Sequence, residues 1–322
     1  MRDGMNREID YVRLSVTDRC DFRCTYCMPL DIQFLPEELV LSKEEILFLM
    51  NQLAQDGIKK VKITGGEPLV RRDIIEIIRE IKQIPGIENV TITTNGMLLE
   101  KYAEELKEAG LDGLNLSLDT LDPVEFHQIT RVGKLEQVWA GLEKALAIGL
   151  PNIKLNTVAR KAESAENLVK VAALAKKYPV HVRFIEMMPI GLGEESQGRS
   201  QEEVQKLLAD AFGPLKPFDE RLGNGPAVYY ALAGFKGKIG FISAVGHCFC
   251  ETCNRIRITA GGNLKTCLHM DAGTNLRPAL LAEDSDALQA QLRTALLHKP
   301  EKHHFADANA HGDTRFMSQI GG

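Results

Sequence analysis

The sequence predicts an α/β protein in which repeated βα units build a parallel sheet and a smaller module follows. Between Tyr11 and about Ile185, short β-rich runs alternate with helix-length amphipathic runs, and after Glu186 this rhythm stops. Repeated βα units imply a parallel sheet, either open and doubly wound or curled towards a barrel. The chain has 322 residues, so we expect two domains, residues 1–190 and 191–322.

Six segments of the first part have the composition of strands. They are YVRLSVT, VKIT, NVTITT, GLNLSLD, IKLNTV and VHVRFIE. Parallel strands that are buried on both faces usually form continuous apolar runs, whereas in these segments apolar and polar residues alternate. If the apolar faces pack on outer helices, the polar faces converge on a common interior. The alternation therefore favours a barrel with a polar lumen.

This lumen is predicted to be positively charged. The polar strand faces carry Arg13, Lys60, Lys62, Lys154 and Arg183, although the whole chain has a formal net charge of −5. A cluster of cations in an otherwise acidic protein predicts a bound anion. The alternative for any one of them is a position on an exposed edge strand.

Helices are predicted from apolar residues that recur every three or four positions. The segment DIIEIIREIK places Ile74, Ile77, Ile78 and Ile81 on one face, and AENLVKVAALAKK is a second such helix. In the C-terminal module, SQEEVQKLLADAF begins with a capping box of Ser200 and Glu203. AVYYALA and GKIGFIS are predicted strands, and KPEKHHFADANAHGD is predicted to be a poorly packed surface segment.

The composition is that of an ordinary soluble globular protein, with 44% hydrophobic and 26% charged residues. No apolar stretch approaches the roughly 18 residues that span a bilayer, so we expect a cytoplasmic protein without a membrane partner. The acidic balance argues against a general nucleic-acid-binding role. In the cytoplasm thiols stay reduced, which makes clustered cysteines more plausible as metal ligands than as disulfides.

The seven cysteines fall into two groups, Cys20, Cys24 and Cys27, then Cys248, Cys250, Cys253 and Cys267. The first group forms a C-x3-C-x2-C motif, CDFRCTYC, directly after the first strand, where barrel active sites lie. Three thiolates can hold three corners of a cubane iron–sulfur cluster and leave the fourth iron open. A structural zinc site normally has four protein ligands. Zinc with a remote fourth ligand is the alternative.

The C-x3-C-x2-C motif resembles that of the radical S-adenosylmethionine (SAM) superfamily. The second strand ends in TGGEP, with Gly65, Gly66 and Glu67, which is also typical of that superfamily. The resemblance implies an incomplete (β/α)6 TIM-like barrel. It also implies that Cys20, Cys24 and Cys27 hold a [4Fe–4S] cluster whose open iron is chelated by SAM.

Three features of the C-terminal part resemble the GTP 3′,8-cyclase family within that superfamily. They are Cys250-x2-Cys253-x13-Cys267, the N-R-x-R sequence after Cys253, and the terminal RFMSQIGG. The resemblance implies that these three cysteines hold a second [4Fe–4S] cluster on the smaller C-terminal domain. The implied reaction opens molybdenum cofactor (molybdopterin) biosynthesis. In it a 5′-deoxyadenosyl radical takes the ribose C3′ hydrogen of GTP, giving (8S)-3′,8-cyclo-7,8-dihydroguanosine 5′-triphosphate.

The strand pattern and the resemblance together nominate the site residues. The expected cofactor contacts are Tyr26, Gly65, Gly66, Glu67, Ser117 and Met188. The expected GTP contacts are Arg13, Lys60, Lys62, Thr93, Lys154, Arg183, Arg255, Ile256 and Arg257. Among these, Arg13, Arg255 and Arg257 are expected to be catalytic, together with Gly321 and Gly322, which form a tail slim enough to enter the site.

The resemblance also implies partners: an electron donor and, downstream, cyclic pyranopterin monophosphate synthase, with the chain a monomer or a homodimer. One alternative is a radical SAM peptide maturase, although its auxiliary region is usually richer in cysteine. Another is a non-catalytic zinc-binding nucleic-acid module, whose basic residues would lie on an exposed surface.

Two residues depart from the family pattern. Cys248 is an extra thiol, and the x2 spacing favours Cys250 as the ligand. Lys62 stands where related enzymes often have arginine. Lysine at this position keeps the positive charge but lacks the bidentate fork of a guanidinium.

Overall fold

The computed structural model describes residues 1–194, 196–271, 273–305 and 313–321. Within these ranges, twelve strands form one sheet. The strands are β1 Tyr11–Ser15, β2 Lys60–Thr64, β3 Asn89–Thr94, β4 Gly113–Ser117, β5 Lys154–Val158, β6 His181–Ile185, β7 Lys216–Phe218, β8 Val228–Ala231, β9 Ile239–Ile242, β10 Arg255–Ile258, β11 Asn263–Lys265 and β12 Thr274–Asn275. The helices are α1 Lys43–Gln55, α2 Ile74–Gln83, α3 Leu99–Glu108, α4 Pro123–Thr130, α5 Leu135–Ala147, α6 Ala165–Lys177, α7 Gln201–Phe212, α8 Arg277–Leu281, α9 Ser285–Leu297 and α10 Met317–Ile320.

The six predicted βα strands are confirmed as the parallel series β1 to β6 in chain order. Their register brings the polar positions side by side, because residues of one strand face repeat every second position. Arg13 pairs with Lys62, and Asn115 pairs with both Thr93 and Lys154. One continuous polar face therefore runs across the parallel strands.

Strands of the C-terminal module extend this sheet at both edges. β10 pairs in parallel with β1, and β9 pairs in parallel with β6. Beyond them, β11 and β12 on one side and β8 and β7 on the other continue the sheet in antiparallel order. Arg257 thereby lies directly beside Arg13. The domain boundary near residue 190 stays a prediction, since strands from both sides share one sheet.

The apolar strand faces and the helices form the core. In α2, the four predicted isoleucines Ile74, Ile77, Ile78 and Ile81 are all fully buried. The predicted α6 is confirmed, and α7 begins with the capping box of Ser200 and Glu203. Among the described residues, none of the helices combines the length and the apolar character that a membrane span needs.

At its two ends, the segment from Lys299 to Asp313 departs from the predicted loose surface segment, whereas residues 306–312 lie outside the described residues. Both of its ends are buried, Lys299 with 4% and Asp313 with 1% of its surface exposed. Lys299 donates hydrogen bonds to the backbone oxygens of Arg255 and Thr266, and Asp313 forms an ion pair with the buried Lys265. The charged composition suggested solvent exposure, but these charges have internal partners.

Candidate active site

A cavity of about 390 Å³ lies against the polar face of the parallel strands. Residues of β1 to β6 line it, together with both cysteine groups and the start of α10. Cys20, Cys24, Cys27, Cys250, Cys253 and Cys267 all belong to this lining. Cys248 does not, and its side chain is exposed. The structure thus brings all six predicted ligand thiols to one cavity.

The first cysteine loop, residues 20–27, is held against α4. The backbone N–H groups of Arg23 and Thr25 donate to the carbonyl oxygens of Thr130 and Ile129, at 3.0 and 2.9 Å. The ring of Phe22 packs edge-on against Phe126 with centroids 5.9 Å apart. These contacts keep the three thiols at the carboxyl end of β1, where the parallel sheet opens into the cavity.

The Gly-Gly-Glu turn after β2 fits closely against the same loop. Gly66 donates from its backbone N–H to the Thr17 carbonyl at 2.8 Å, and a Cβ on Gly66 would lie 2.3 Å from the Arg19 carbonyl oxygen. Only glycine allows this approach of two backbones. A Cβ on Gly65 would similarly lie 2.4 Å from the carbonyl oxygen of Thr17.

The Glu67 carboxylate is occupied by internal hydrogen bonds. It accepts from the backbone N–H groups of Leu69 and Asn95, at 2.9 and 2.6 Å, and from the Thr94 hydroxyl at 2.7 Å. Burial raises the pKa of Glu67 to about 7 against these bonds. Asn95 in turn donates to Asp21 at 2.6 Å, beside Cys20. The Glu67 side chain is therefore used in internal hydrogen bonds and is linked through Asn95 to the cysteine loop.

The other expected cofactor positions also line the cavity, namely Tyr26, Ser117 and Met188. The Tyr26 hydroxyl donates to the Asp119 carboxylate at 2.7 Å. The guanidinium of Arg160 lies 4.9 Å from the centre of the Tyr26 ring. Burial and the nearby Asp119 carboxylate raise the pKa of Tyr26 well above its usual value. Sequence patterns gave no signal for Asp119 and Arg160, because their contacts join distant segments.

A group of positively charged side chains lines the same cavity. Arg13, Lys62, Lys154, Arg183, Arg255 and Arg257 all line it, and no carboxylate among the described residues forms an ion pair with any of them. Burial, with help from Arg183, Arg13 and Lys154, lowers the pKa of Lys62 well below its usual value. Burial and Arg183 lower the pKa of Lys154 to about 8. Such mutual repulsion predicts that an anion completes the site.

Two of the expected substrate contacts, Lys60 and Ile256, lie away from the cavity. Lys60 is the first residue of β2, so it lies at the far end of the sheet, where its Nζ pairs with Asp10 at 2.6 Å. It is not part of the cavity lining. Ile256 is fully buried in the hydrophobic core, because in β10 it points to the face opposite Arg255 and Arg257.

The second cysteine group is braced by two cations. Lys299 donates to the carbonyl oxygen of Arg255 at 3.0 Å and to that of Thr266, the residue before Cys267. Arg7 donates to the Cys250 carbonyl oxygen at 2.9 Å. Burial alone would raise the pKa of Cys253, but Arg255 and Lys299 lower it to about 7. The positive surroundings therefore favour the thiolate of Cys253, whereas burial raises the pKa of Cys250 to about 11. Sequence patterns did not reveal either Arg7 or Lys299.

The C-terminal tail reaches both halves of the cavity. Met317 and Ser318 line it, and the Ser318 backbone N–H donates to the thiol of Cys27. The Gly321 carbonyl oxygen accepts from Arg257 at 2.8 Å. Gly321 has a φ of 89°, and a Cβ there would lie 2.9 Å from the Ser15 side chain. Gly322 lies outside the described residues.

Comparison with protein families gives two adjacent matches. The model of the Radical SAM superfamily matches residues 14–175, and that of Molybdenum Cofactor Synthesis C matches residues 180–305. The first match covers the end of β1, the strands β2 to β5 and the first cysteine group, and the second covers β6 and the following strands with the second cysteine group. Both matches therefore contribute residues to the cavity.

Full-length relatives decide the family. A protein of Clostridium perfringens (strain SM101 / Type A) named GTP 3′,8-cyclase is 44% identical over 324 residues, covering 100% of both chains. Proteins of the same name from Heliobacterium modesticaldum and Listeria monocytogenes are 45% and 43% identical to this chain, respectively. The match covers 100% of the first protein and 99% of the second. The chain belongs to the GTP 3′,8-cyclase family. The radical SAM relationship that the cysteine motif predicted is thereby confirmed.

Solved structures similar to this GTP 3′,8-cyclase family member agree on the fold. Streptococcus suis SuiB bound to precursor peptide SuiA superposes with a TM-score of 0.68 at 16% identity, covering 98% of this chain and 76% of that one. SuiB bound to S-adenosylmethionine gives 0.67 at 15% identity, covering 89% and 68%. The likeness supports the partial barrel with its C-terminal domain.

The two groups of three cysteines suit the iron–sulfur clusters that membership of the GTP 3′,8-cyclase family implies. Each set offers three thiols, and backbone N–H groups of Phe22, Ser318 and His303 donate to the sulfurs of Cys20, Cys27 and Cys250, respectively. Such bonds are usual for cysteines that hold iron–sulfur clusters. Arg13 Nε is buried without a partner among the described residues. The cavity therefore fits two clusters and an anionic nucleotide.

Proposed function

We propose that this chain is a radical SAM lyase that converts GTP to (8S)-3′,8-cyclo-7,8-dihydroguanosine 5′-triphosphate, the first step of molybdenum cofactor biosynthesis. The observation that carries the proposal is the shared cavity. Two groups of three thiols line it together with a set of cations that have no carboxylate partner among the described residues. The full-length relatives named GTP 3′,8-cyclase support the same reaction.

Cys20, Cys24 and Cys27 would hold the first [4Fe–4S] cluster, and SAM would bind its open iron. Tyr26, Ser117 and Met188 line the same cavity as these thiols, and the backbone of Gly65, Gly66 and Glu67 follows the adjacent strand. When bound, this pair supplies a 5′-deoxyadenosyl radical that takes hydrogen from ribose C3′ of GTP. The protein orients the reactants and excludes water from them.

The GTP triphosphate would neutralise the cations. Arg13, Lys62, Lys154 and Arg183 supply charge from the parallel strands, with Thr93 beside them, and Arg255 and Arg257 supply it from β10. Guanidinium forks suit phosphate oxygens, and Lys62 contributes a compact charge. Arg13, Arg255 and Arg257 would serve as the catalytic arginines, and Gly321 and Gly322 would form a tail slim enough to enter the site.

Cys250, Cys253 and Cys267 would hold the second [4Fe–4S] cluster, with its open corner towards the guanine base. Their thiols line the cavity on the side of the C-terminal module. The zinc-binding nucleic-acid alternative requires exposed basic residues, whereas the cations of this site are buried or partly buried. SuiB, which was solved bound to a precursor peptide, shares the fold at 16% identity, whereas the full-length curated relatives favour the nucleotide cyclase over a peptide maturase.

Clusters with open corners require a reducing compartment, which supports a cytoplasmic location. We include an external electron donor, because reductive cleavage of SAM consumes one electron and the cyclised nucleotide radical needs a second electron and a proton to give the product. The cyclised nucleotide would pass to cyclic pyranopterin monophosphate synthase. The chain would act as a monomer or a homodimer.

The test is anaerobic incubation of the reconstituted chain with SAM, GTP and dithionite, followed by mass spectrometry. We expect 5′-deoxyadenosine, methionine and a cyclised nucleotide with the mass of GTP. Iron analysis should find about eight irons per chain, as two cubane clusters require. Stoichiometric zinc without charge-transfer absorbance, or an unchanged nucleotide beside cleaved SAM, would contradict the proposal.

A further inference from the structure

A further set of three possible metal ligands lies next to the second cysteine group and shares Cys250 with it. The sulfurs of Cys248 and Cys250 and a ring nitrogen of His303 all lie within 4.8 Å of one another. The backbone N–H of His303 donates to the Cys250 sulfur at 3.5 Å, which ties the two segments together. Cys248 is exposed and outside the cavity, whereas Cys250 is 9% exposed and lines it. The set therefore lies between the cavity and solvent.

Two thiolates and one imidazole are ligands that zinc prefers. In a tetrahedral site the sulfurs would be about 3.8 Å apart and each about 3.5 Å from the nitrogen. Because the three atoms already lie within 4.8 Å, a shift of about 1 Å would assemble three ligands. The exposed side, at Cys248, leaves room for water as the fourth ligand.

We propose that Cys248, Cys250 and His303 bind zinc in the chain that lacks its second iron–sulfur cluster. Zinc and that cluster exclude each other because both use the Cys250 thiolate, a consequence that rests on the proposed function. Zinc would keep the Cys250 thiolate covered until the cluster is delivered. Cys248, which the proposed reaction does not use, thereby acquires a role.

The first experiment measures zinc binding to the full-length cluster-free chain by competition with a chromophoric chelator. We expect one zinc per chain, with Cys248→Ser and His303→Gln each weakening binding at least tenfold. Cys253→Ser and Cys267→Ser are the matched controls, since neither belongs to the set, and should change affinity less than twofold. Equal loss in the controls would overturn the proposal, because zinc would then occupy the cluster ligands.

Cobalt binding provides a readout that does not depend on a tight zinc constant. We expect sulfur-to-cobalt charge-transfer absorbance in the unchanged chain and about half of it in Cys248→Ser, since one of two thiolates is lost. Circular dichroism checks that each variant is folded. Unchanged absorbance in a folded Cys248→Ser chain would contradict the assignment.

The second experiment tests exclusion by reconstituting clusters with and without one equivalent of zinc added first. Zinc should lower the iron content from about eight to about four per chain, and Cys248→Ser should keep about eight. Equal iron content with and without zinc would refute exclusion. If the proposed function failed and no cluster formed, the zinc and cobalt titrations would still decide the site.

Discussion

Arg257 donates a hydrogen bond of 2.8 Å from its Nη1 to the carbonyl oxygen of Gly321, near the end of the chain. The arginine lies in β10, which pairs with β1, and its half-buried side chain lines the cavity. Burial and the neighbouring Arg13 and Arg255 lower its pKa well below the usual value. A guanidinium has five N–H donors, so four remain for a nucleotide while one holds the tail.

We predict that Arg257→Ala weakens GTP binding by roughly ten- to hundredfold, because hydrogen bonds between charged groups contribute about 1.5–3 kcal/mol. The GTP affinity of Arg257→Lys should lie between those of the unchanged chain and Arg257→Ala, since lysine keeps the charge but lacks the bidentate fork. Calorimetric titration measures GTP affinity. Arg293→Ala, on an exposed face of α9, is the control. SAM binding and reductive SAM cleavage should be preserved, and parallel loss of both would contradict the assigned role.

GTP binding should take up protons near pH 8. Burial and Arg183 lower the pKa of Lys154 from 10.5 to about 8, so the free site loses this charge as the pH rises through 8. A bound triphosphate would hold the proton on the amine. At pH 8 Lys154 alone should take up about half a proton, and Lys62 should add to it.

Calorimetry in buffers of different ionisation enthalpy measures this uptake. Lys154→Arg should remove the Lys154 contribution, because a guanidinium stays charged throughout. The affinity of the unchanged chain should decrease above pH 8, and that of Lys154→Arg should decrease less. Identical uptake in both chains would exclude Lys154 from the triphosphate site.

Lys299→Met should impair the second cluster more than the first. The substitution leaves the carbonyl oxygens of Arg255 and Thr266 without their bond to Nζ, at a cost of about 1–3 kcal/mol for each buried group. We expect iron after reconstitution to fall from about eight towards four per chain. Lys206→Met, on the exposed face of α7, should retain about eight. Equal iron content in both variants would show that Lys299 is not needed to hold the second cysteine group.

The ion pair between Lys265 and Asp313 anchors the tail, and both side chains are fully buried. Asp313→Asn would remove the buried carboxylate that pairs with both Lys265 and Arg315, and it should lower the free energy of unfolding by about 3–5 kcal/mol. Asp271, an exposed partner of Arg315, is the matched control. Asp271→Asn should cost less than about 1 kcal/mol. Denaturant unfolding measures both, and similar small losses would show that the buried pair does not anchor the tail.

The strand pattern predicted four of the five lumen cations correctly. Arg13, Lys62, Lys154 and Arg183 line the cavity because the two-residue period of a strand sends alternate side chains to the same face. Lys60 has the same face as Lys62 but lies at the end of the strand, next to Asp10. Periodicity gives the face of a residue, and the depth along the barrel depends on where the strand begins.

The sequence by itself determined the βα order, the polar strand faces, the two cysteine groups and the family, because these depend on local spacing and on motifs. Only the tertiary structure decided which residues from distant segments meet. Arg7 and Lys299 brace the second cysteine group, Asp313 pairs with Lys265, and His303 approaches Cys248. Such contacts join segments far apart in the chain, and their geometry arises from packing that no local pattern encodes.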